Sequence, residues 1–145
     1  AFAVVLNKLG LWYNTALIAV ERNNHGLLTI NELHKRLEYP NTYYEMVEDK
    51  GTDEDTQRIG FLVNTKTKPL IVDRLRGDMR KGTITINDRD TLNEMLSFVL
   101  DESGKYGAPK GLHDDCVMAL AIANHVWQEP FTPIQNHDTW YVSGH

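Results

Sequence analysis

Gly111-Leu-His-Asp-Asp-Cys-Val-Met-Ala-Leu-Ala-Ile-Ala123 is the stretch that decides how the rest of the chain is read. A glycine turn delivers one imidazole, His113, and two adjacent carboxylates, Asp114 and Asp115. The apolar run behind them is long enough for about three to four helical turns at ~3.6 residues each. The spacing therefore predicts a buried helix whose first turn carries groups able to bind a metal ion, held rigidly beside another element. Asp115, Ala119, Ile122 and Ala123 share a face at i, i+4, i+7 and i+8. The alanines would let a neighbouring backbone come close, with Asp115 at the end of that contact. A plainer reading makes Asp114 an N-cap, since aspartate there accepts backbone amides and suits the helix dipole. Capping, however, requires neither a second acid nor His113.

The chain has 145 residues, which suits one domain, and at 41% hydrophobic it can bury a core. Its net charge of −5 excludes a globally basic, nucleic-acid-coating composition. A polyanion would have to be met by a local patch or through metal ions. The single cysteine, Cys116, excludes an internal disulfide and offers no zinc pattern. Within the apolar run it reads as a small core residue. No apolar run approaches the ~18 residues of a membrane span, and no signal-peptide pattern opens the chain, so a cytosolic compartment is expected.

Upstream, Phe2, Val5, Leu6, Leu9 and Tyr13 follow helical spacing from the second residue onward, so the chain reads as beginning inside a fold. A helix is expected over residues 2 to about 14, weakened by Gly10. Thr15-Ala-Leu-Ile-Ala-Val-Glu21 reads as a short strand buried on both faces, as in the centre of a sheet with parallel neighbours. Glu21 would then sit at its carboxyl end, where open α/β sheets place their sites. The plainer alternative pairs Glu21 with Arg22 in solvent. A helix over 26–37 is expected to turn Leu28, Leu33 and Leu37 inward and to stop at Tyr39-Pro40-Asn41. Residues 42–47 and 58–64 read as a hairpin with a long charged tip.

Thr65-Lys-Thr-Lys-Pro69 opens a helix with Ile71, Leu75 and Met79 on one face, ended by Gly82. Lys66, Lys68, Arg74, Arg76, Arg80 and Lys81 crowd the remainder, which makes it the one clearly basic element of an acidic chain. Either it is a solvated face or it contacts a phosphate backbone. A short strand is expected over 83–86. Thr91 and Glu94 have the spacing of a capping box, and Leu92, Met95, Leu96, Val99 and Leu100 that of an amphipathic helix. Residues 101–110 read as a loop, and residues 130–145 as a tail or linker.

The candidate site therefore joins Glu21 to Asp114 and Asp115, with His113 and His25 in adjoining loops. Oxygen donors predominate, which favours Mg²⁺ or Mn²⁺ over zinc. Clustered carboxylates repel one another unless a cation neutralises them. Two such ions about 3.5–4 Å apart can activate a water and stabilise the leaving oxygen of a phosphodiester. The chain lacks the phosphate-loop and dinucleotide fingerprints and the nucleophile elbow.

Three motifs carry a family resemblance: Ala19-Val-Glu-Arg-Asn-Asn-His-Gly26, Asn64-Thr-Lys-Thr-Lys-Pro69, and Gly111-Leu-His-Asp-Asp-Cys-Val-Met-Ala119. In this order, over roughly residues 1 to 128, the chain resembles the nuclease domain of phage terminase large subunits. The resemblance implies an α/β, RNase H-like fold, a central mixed sheet flanked by helices. It implies two-metal cleavage, with Mg²⁺ or Mn²⁺, of concatemeric double-stranded DNA during genome packaging in the host cell cytoplasm. Glu21, Asp115 and Asp114 would hold the metals, with His113 as an added candidate, and Lys66, Lys68, Arg74, Arg76, Arg80 and Lys81 would contact DNA. In the full-length protein an ATPase domain, the small terminase and the portal would be partners. The family's nuclease opens with a strand bearing the first catalytic aspartate. This chain starts at the helix after that strand, so it reads as N-terminally incomplete, with cleavage expected of a chain that includes the strand. The domain expected is thus 1–128, with 129–145 as tail. Two rival readings are a non-catalytic module that binds DNA or a motor partner, and a resolvase- or transposase-type nuclease of the same fold.

Overall fold

The computed structural model describes residues 2–48 and 55–128. They form a small α/β fold in which five α-helices alternate with two antiparallel hairpins. The order is α1 (Phe2–Trp12), α2 (Asn24–Asn31), β1 (Tyr44–Glu48), β2 (Asp55–Ile59), α3 (Thr67–Lys81), α4 (Arg89–Ser97), β3 (Val99–Leu100), β4 (Tyr106–Gly107) and α5 (Asp115–Trp127). The tip expected after Glu48 lies largely outside the described residues, as does the tail over 129–145. Among the described residues no helix is long and apolar enough to cross a membrane.

The main core lies between α3, α5 and the base of the first hairpin. Ile71, Val72 and Leu75 meet Met118, Ala121, Ile122 and Val126, with Tyr43 and Phe61 beneath. The two helices run side by side in the same direction. Lys68 meets Asp114 at their first turns, and Asn124 Nδ2 donates to Asp78 at their last. Ile71 and Leu75 point inward as their spacing predicts, while Met79 is exposed. On α5 the contact face differs from the expected one. Ala121 is the fully buried alanine, and Ala119 and Ala123 are exposed. Close helix approach therefore runs through Ala121, which leaves the Asp115–Ala119 face open.

The run Thr15–Glu21 is not a strand buried on both faces. It makes isolated parallel bridges, Ile18 with Thr42 and Glu21 with Phe61. Its backbone bonds fall on one edge: Tyr43 N donates to Ile18 O (2.9 Å), Phe61 N to Val20 O (2.9 Å), and Arg22 N to Phe61 O (2.7 Å). Among the described residues no strand pairs with the Leu17–Ala19 edge, so the run is half-buried and Leu17 is exposed. The first hairpin forms, but its second strand is Asp55–Ile59 rather than 58–64, with Tyr44 opposite Ile59 and Glu48 opposite Asp55, so the pairing reaches into the expected tip.

Several faces are turned differently from the sequence expectation. In α1 the buried positions are Ala3 and Gly10, one face at i and i+7, whereas Phe2, Val5 and Leu9, and Tyr13 just past its end, are exposed. Gly10 does not weaken this helix for nothing. The Tyr39 ring lies on it, a Cβ there would stand 2.2 Å from Tyr39 Oη, and that hydroxyl donates to Ala16 O. Burial pushes the Tyr39 hydroxyl pKa up. In α2 and the π-helical turn that follows (Glu32–Arg36), the inward set is Gly26, Ile30 and Leu33, and Leu28 is 71% exposed.

Residues 83–86 form no strand; Thr83 N bonds Asp78 O instead, and Ile84 packs on the main core. The amphipathic run from Leu92 is cut at Ser97, where Phe98 turns extended and sets its ring against the core. Val99 and Leu100, expected to be helical, then pair as β3 with Tyr106 and Gly107, which form β4 inside the stretch expected to be a loop. Leu96 is left 86% exposed.

Asp78 ties the far ends of α3 and α5 together. It accepts from Asn124 Nδ2 (2.9 Å) and Gln128 Nε2 (2.7 Å). These bonds, the Asn124 bond first, hold its carboxyl below the usual carboxylate range. A depressed folded pKa adds stability that is present above the unfolded value and lost as pH falls through the folded one. Asp78→Asn should therefore melt below the parent at pH 7, and the gap should close as pH drops below about 4. Circular dichroism melts at both pH values test this; an unchanged gap in acid would remove Asp78 from the acid limb.

Candidate functional site

Glu21, Asp114 and Asp115 line one cleft of about 270 Å³, together with Lys68 and apolar walls from Ala19, Val63, Met118 and Ile122. The three acids singled out in the sequence thus come together, and one cation joins them.

Glu21 is placed by backbone. Its strand segment is pinned by the Phe61 bonds, and Asn23 N donates back to Glu21 O at 2.9 Å. Asn23 Oδ1 then caps α2, accepting from Gly26 N at 2.7 Å. A Cβ at Gly26 would fall 1.8 Å from Glu21 O, so only glycine fits where α2 starts against the segment bearing the acid. The plainer reading of Glu21 as a partner of Arg22 fails, because Arg22 Nη2 bonds Glu45 Oε2 on β1 at 2.9 Å.

Asp114 occupies the N-cap position of α5, but its side chain makes no capping bond. Its Oδ2 meets Lys68 Nζ at 3.3 Å instead. The amides it would have capped go to α4: Cys116 N and Val117 N donate to Glu94 Oε2 at 2.7 and 3.2 Å. Glu94 is therefore not the capping-box partner that its spacing from Thr91 predicts. Asp88 caps α4, accepting from both the Thr91 amide and hydroxyl at 2.7 Å. A cap supplied from another helix leaves no local spacing signal, which is why the sequence hides it. Glu94 also pushes the Cys116 thiol pKa up, mainly through a hydrogen bond and then by burial and charge. That is the opposite of an activated nucleophile.

Asp115, on the first turn of α5, is 89% exposed, with its Oδ2 3.9 Å from Nδ1 of an equally open His113. His25 is exposed at the start of α2. Of the basic residues, Lys68 faces the cleft and Arg74 is half-buried, with Nη1 2.9 Å from Nδ1 of the buried His125. Lys66 and Lys81 are exposed, and Arg76 and Arg80 line a second groove of about 560 Å³ with Met79, Met95, Phe98 and Leu100. The six cations therefore do not form one face.

Among the described residues no group of three or more His, Cys, Asp or Glu is gathered tightly enough to hold a metal ion. The chemistry of the cleft is nonetheless that of a hard-cation site. Its ionisable donors are carboxylate oxygens, and neither thiolate nor imidazole lines it.

Two substitutions separate cap from cleft. Glu94→Ala should cost about 0.5–2 kcal/mol in urea unfolding, since it orphans two α5 amides, whereas Asp114→Ala should cost less. A larger loss from Asp114→Ala would return the capping role to it. Gly26→Ala should cost about 1–3 kcal/mol, as overpacking against a backbone oxygen does; a neutral effect would mean that the Glu21 segment is free to shift. No protein-family model matches the chain, and no curated protein matches it.

Proposed function

We propose that this chain is the divalent-metal-dependent endonuclease domain of a viral genome-packaging terminase, an RNase H-like nuclease that cuts concatemeric double-stranded DNA. The observation that carries the reading is the meeting of Glu21 with Asp114 and Asp115, acids from distant parts of the chain, in one cleft. The three-motif resemblance to terminase nucleases supports the same assignment. In the cleft, Glu21, Asp115 and Asp114 would hold Mg²⁺ or Mn²⁺, which when bound supplies an activated water and stabilises the leaving oxygen.

The residues of the chain do the rest. Gly26 and the Phe61 bonds hold the Glu21 backbone in place at the edge of the cleft. Glu94 takes over the capping of α5, so neither aspartate is spent on it, and Asp114 pairs with Lys68 instead. Exposed Lys66, Arg76, Arg80 and Lys81 offer phosphate contacts without sequence readout. In the parent protein the partners would be an ATPase domain, the small terminase and the portal, and the site of action the host cytoplasm.

The test is Mn²⁺-dependent nicking of supercoiled plasmid by the full-length protein and by its Glu21→Ala and Asp115→Asn variants, with folding checked by circular dichroism. Both variants should lose nicking while remaining folded. Nicking at the parental rate by Glu21→Ala would sink the assignment. Salt-sensitive DNA binding by a parent that never nicks would favour the non-catalytic binding module.

A further inference from the structure

Lys68 is the one cation among the residues lining the cleft, set against the carboxylates of Glu21, Asp114 and Asp115. Its position is built rather than incidental. The Lys68 and Asp114 side chains are each 28% exposed, and Nζ lies 5.9 Å from the centroid of the Phe98 ring. The pair is packed under β4: a Cβ at Gly107 would stand 3.5 Å from Asp114 Oδ2 and 3.8 Å from Lys68 Nζ. The Nζ–Oδ2 separation of 3.3 Å is longer than that of a tight ammonium–carboxylate bond, about 2.7–2.9 Å. The ammonium neutralises part of the charge in the cleft, yet its hold on Asp114 is loose enough to be given up.

We propose that Lys68 is the resident counter-charge of the cleft, competing with a divalent cation for Asp114. This inference rests on the metal-dependent reading above. A cation approaching Asp114 meets a carboxylate that is already paired and a positive charge that repels it. Its affinity is therefore lower than three carboxylates alone would give. Once released, the ammonium sits on a flexible four-carbon stem and is free to turn toward an anion, such as a phosphate oxygen, entering beside the cation. Cation and phosphate would then strengthen each other's binding, since each draws one partner of the ion pair away from the other.

Calorimetric titration with Mn²⁺ alone tests this on the chain and on Lys68→Met, Lys68→Gln and Lys68→Arg. Removing a unit positive charge a few ångströms from the ion should tighten Mn²⁺ binding on the order of tenfold or more in the Met and Gln variants. The Arg variant, which keeps the charge, should stay close to the parent. Damage to the fold would weaken binding, so the sign of the change separates the two. Using both Met and Gln guards against one of them misfolding. Equal or weaker Mn²⁺ affinity in the folded Met or Gln variant overturns the inference and leaves the metal site standing. An absence of Mn²⁺ binding in all four proteins overturns the metal-dependent reading and this inference with it.

Discussion

The contact between α3 and α5 is the constraint on which the rest depends. Ile71 and Ala121 are both fully buried in it. Burying an isoleucine contributes about 1.5–3 kcal/mol, while the alanine contributes mainly by being small. Because the helices run in the same direction, this one contact brings both first turns to the same end of the molecule. Lys68 and Asp114 are brought together there as a consequence. The Asp78 bonds to Asn124 and Gln128 lock the opposite end. A side chain larger than alanine at position 121 would push the axes apart and separate the ion pair, though it touches neither residue.

A second layer of control lies in where the polar groups send their bonds. The first-turn amides of α5 need acceptors, and an aspartate at the helix start is the ordinary supplier. Here Glu94 reaches across from α4 and does that work. Likewise Arg22 turns to Glu45 on β1 and leaves its neighbour Glu21 unclaimed. In both places a residue outside the cleft satisfies a structural demand that would otherwise have occupied a carboxylate inside it.

Much of this was legible in the sequence. The glycine turn and apolar run located the start of α5 to within a residue, and Gly82 located the end of α3. The acids of the cleft were picked out before their convergence was visible. What escaped has physical reasons. Periodicity tells which residues share a face but not which face turns inward. In α1 the larger apolar side chains point outward because the neighbouring Tyr39 needs the surface of Gly10. The two-residue strands β3 and β4 are too short to carry an alternation. Glu94 and Lys68 act across distances in sequence that no local spacing records, so Lys68 read as one more member of a basic face.

The outward stripe on α1 changes how the folded protein meets its surroundings. Phe2, Val5, Leu9 and Trp12 are exposed along one helix and Tyr13 just beyond it, with Trp12 84% open. Environment-sensitive fluorophores that report expanded, partly folded states by finding apolar surface would find such a surface on the native protein. A bright signal from such a dye would then carry no information about loosened packing. The indoles of Trp12 and Trp127, already in water, would likewise shift little on unfolding, whereas the buried rings of Tyr39 and Tyr43 would change surroundings.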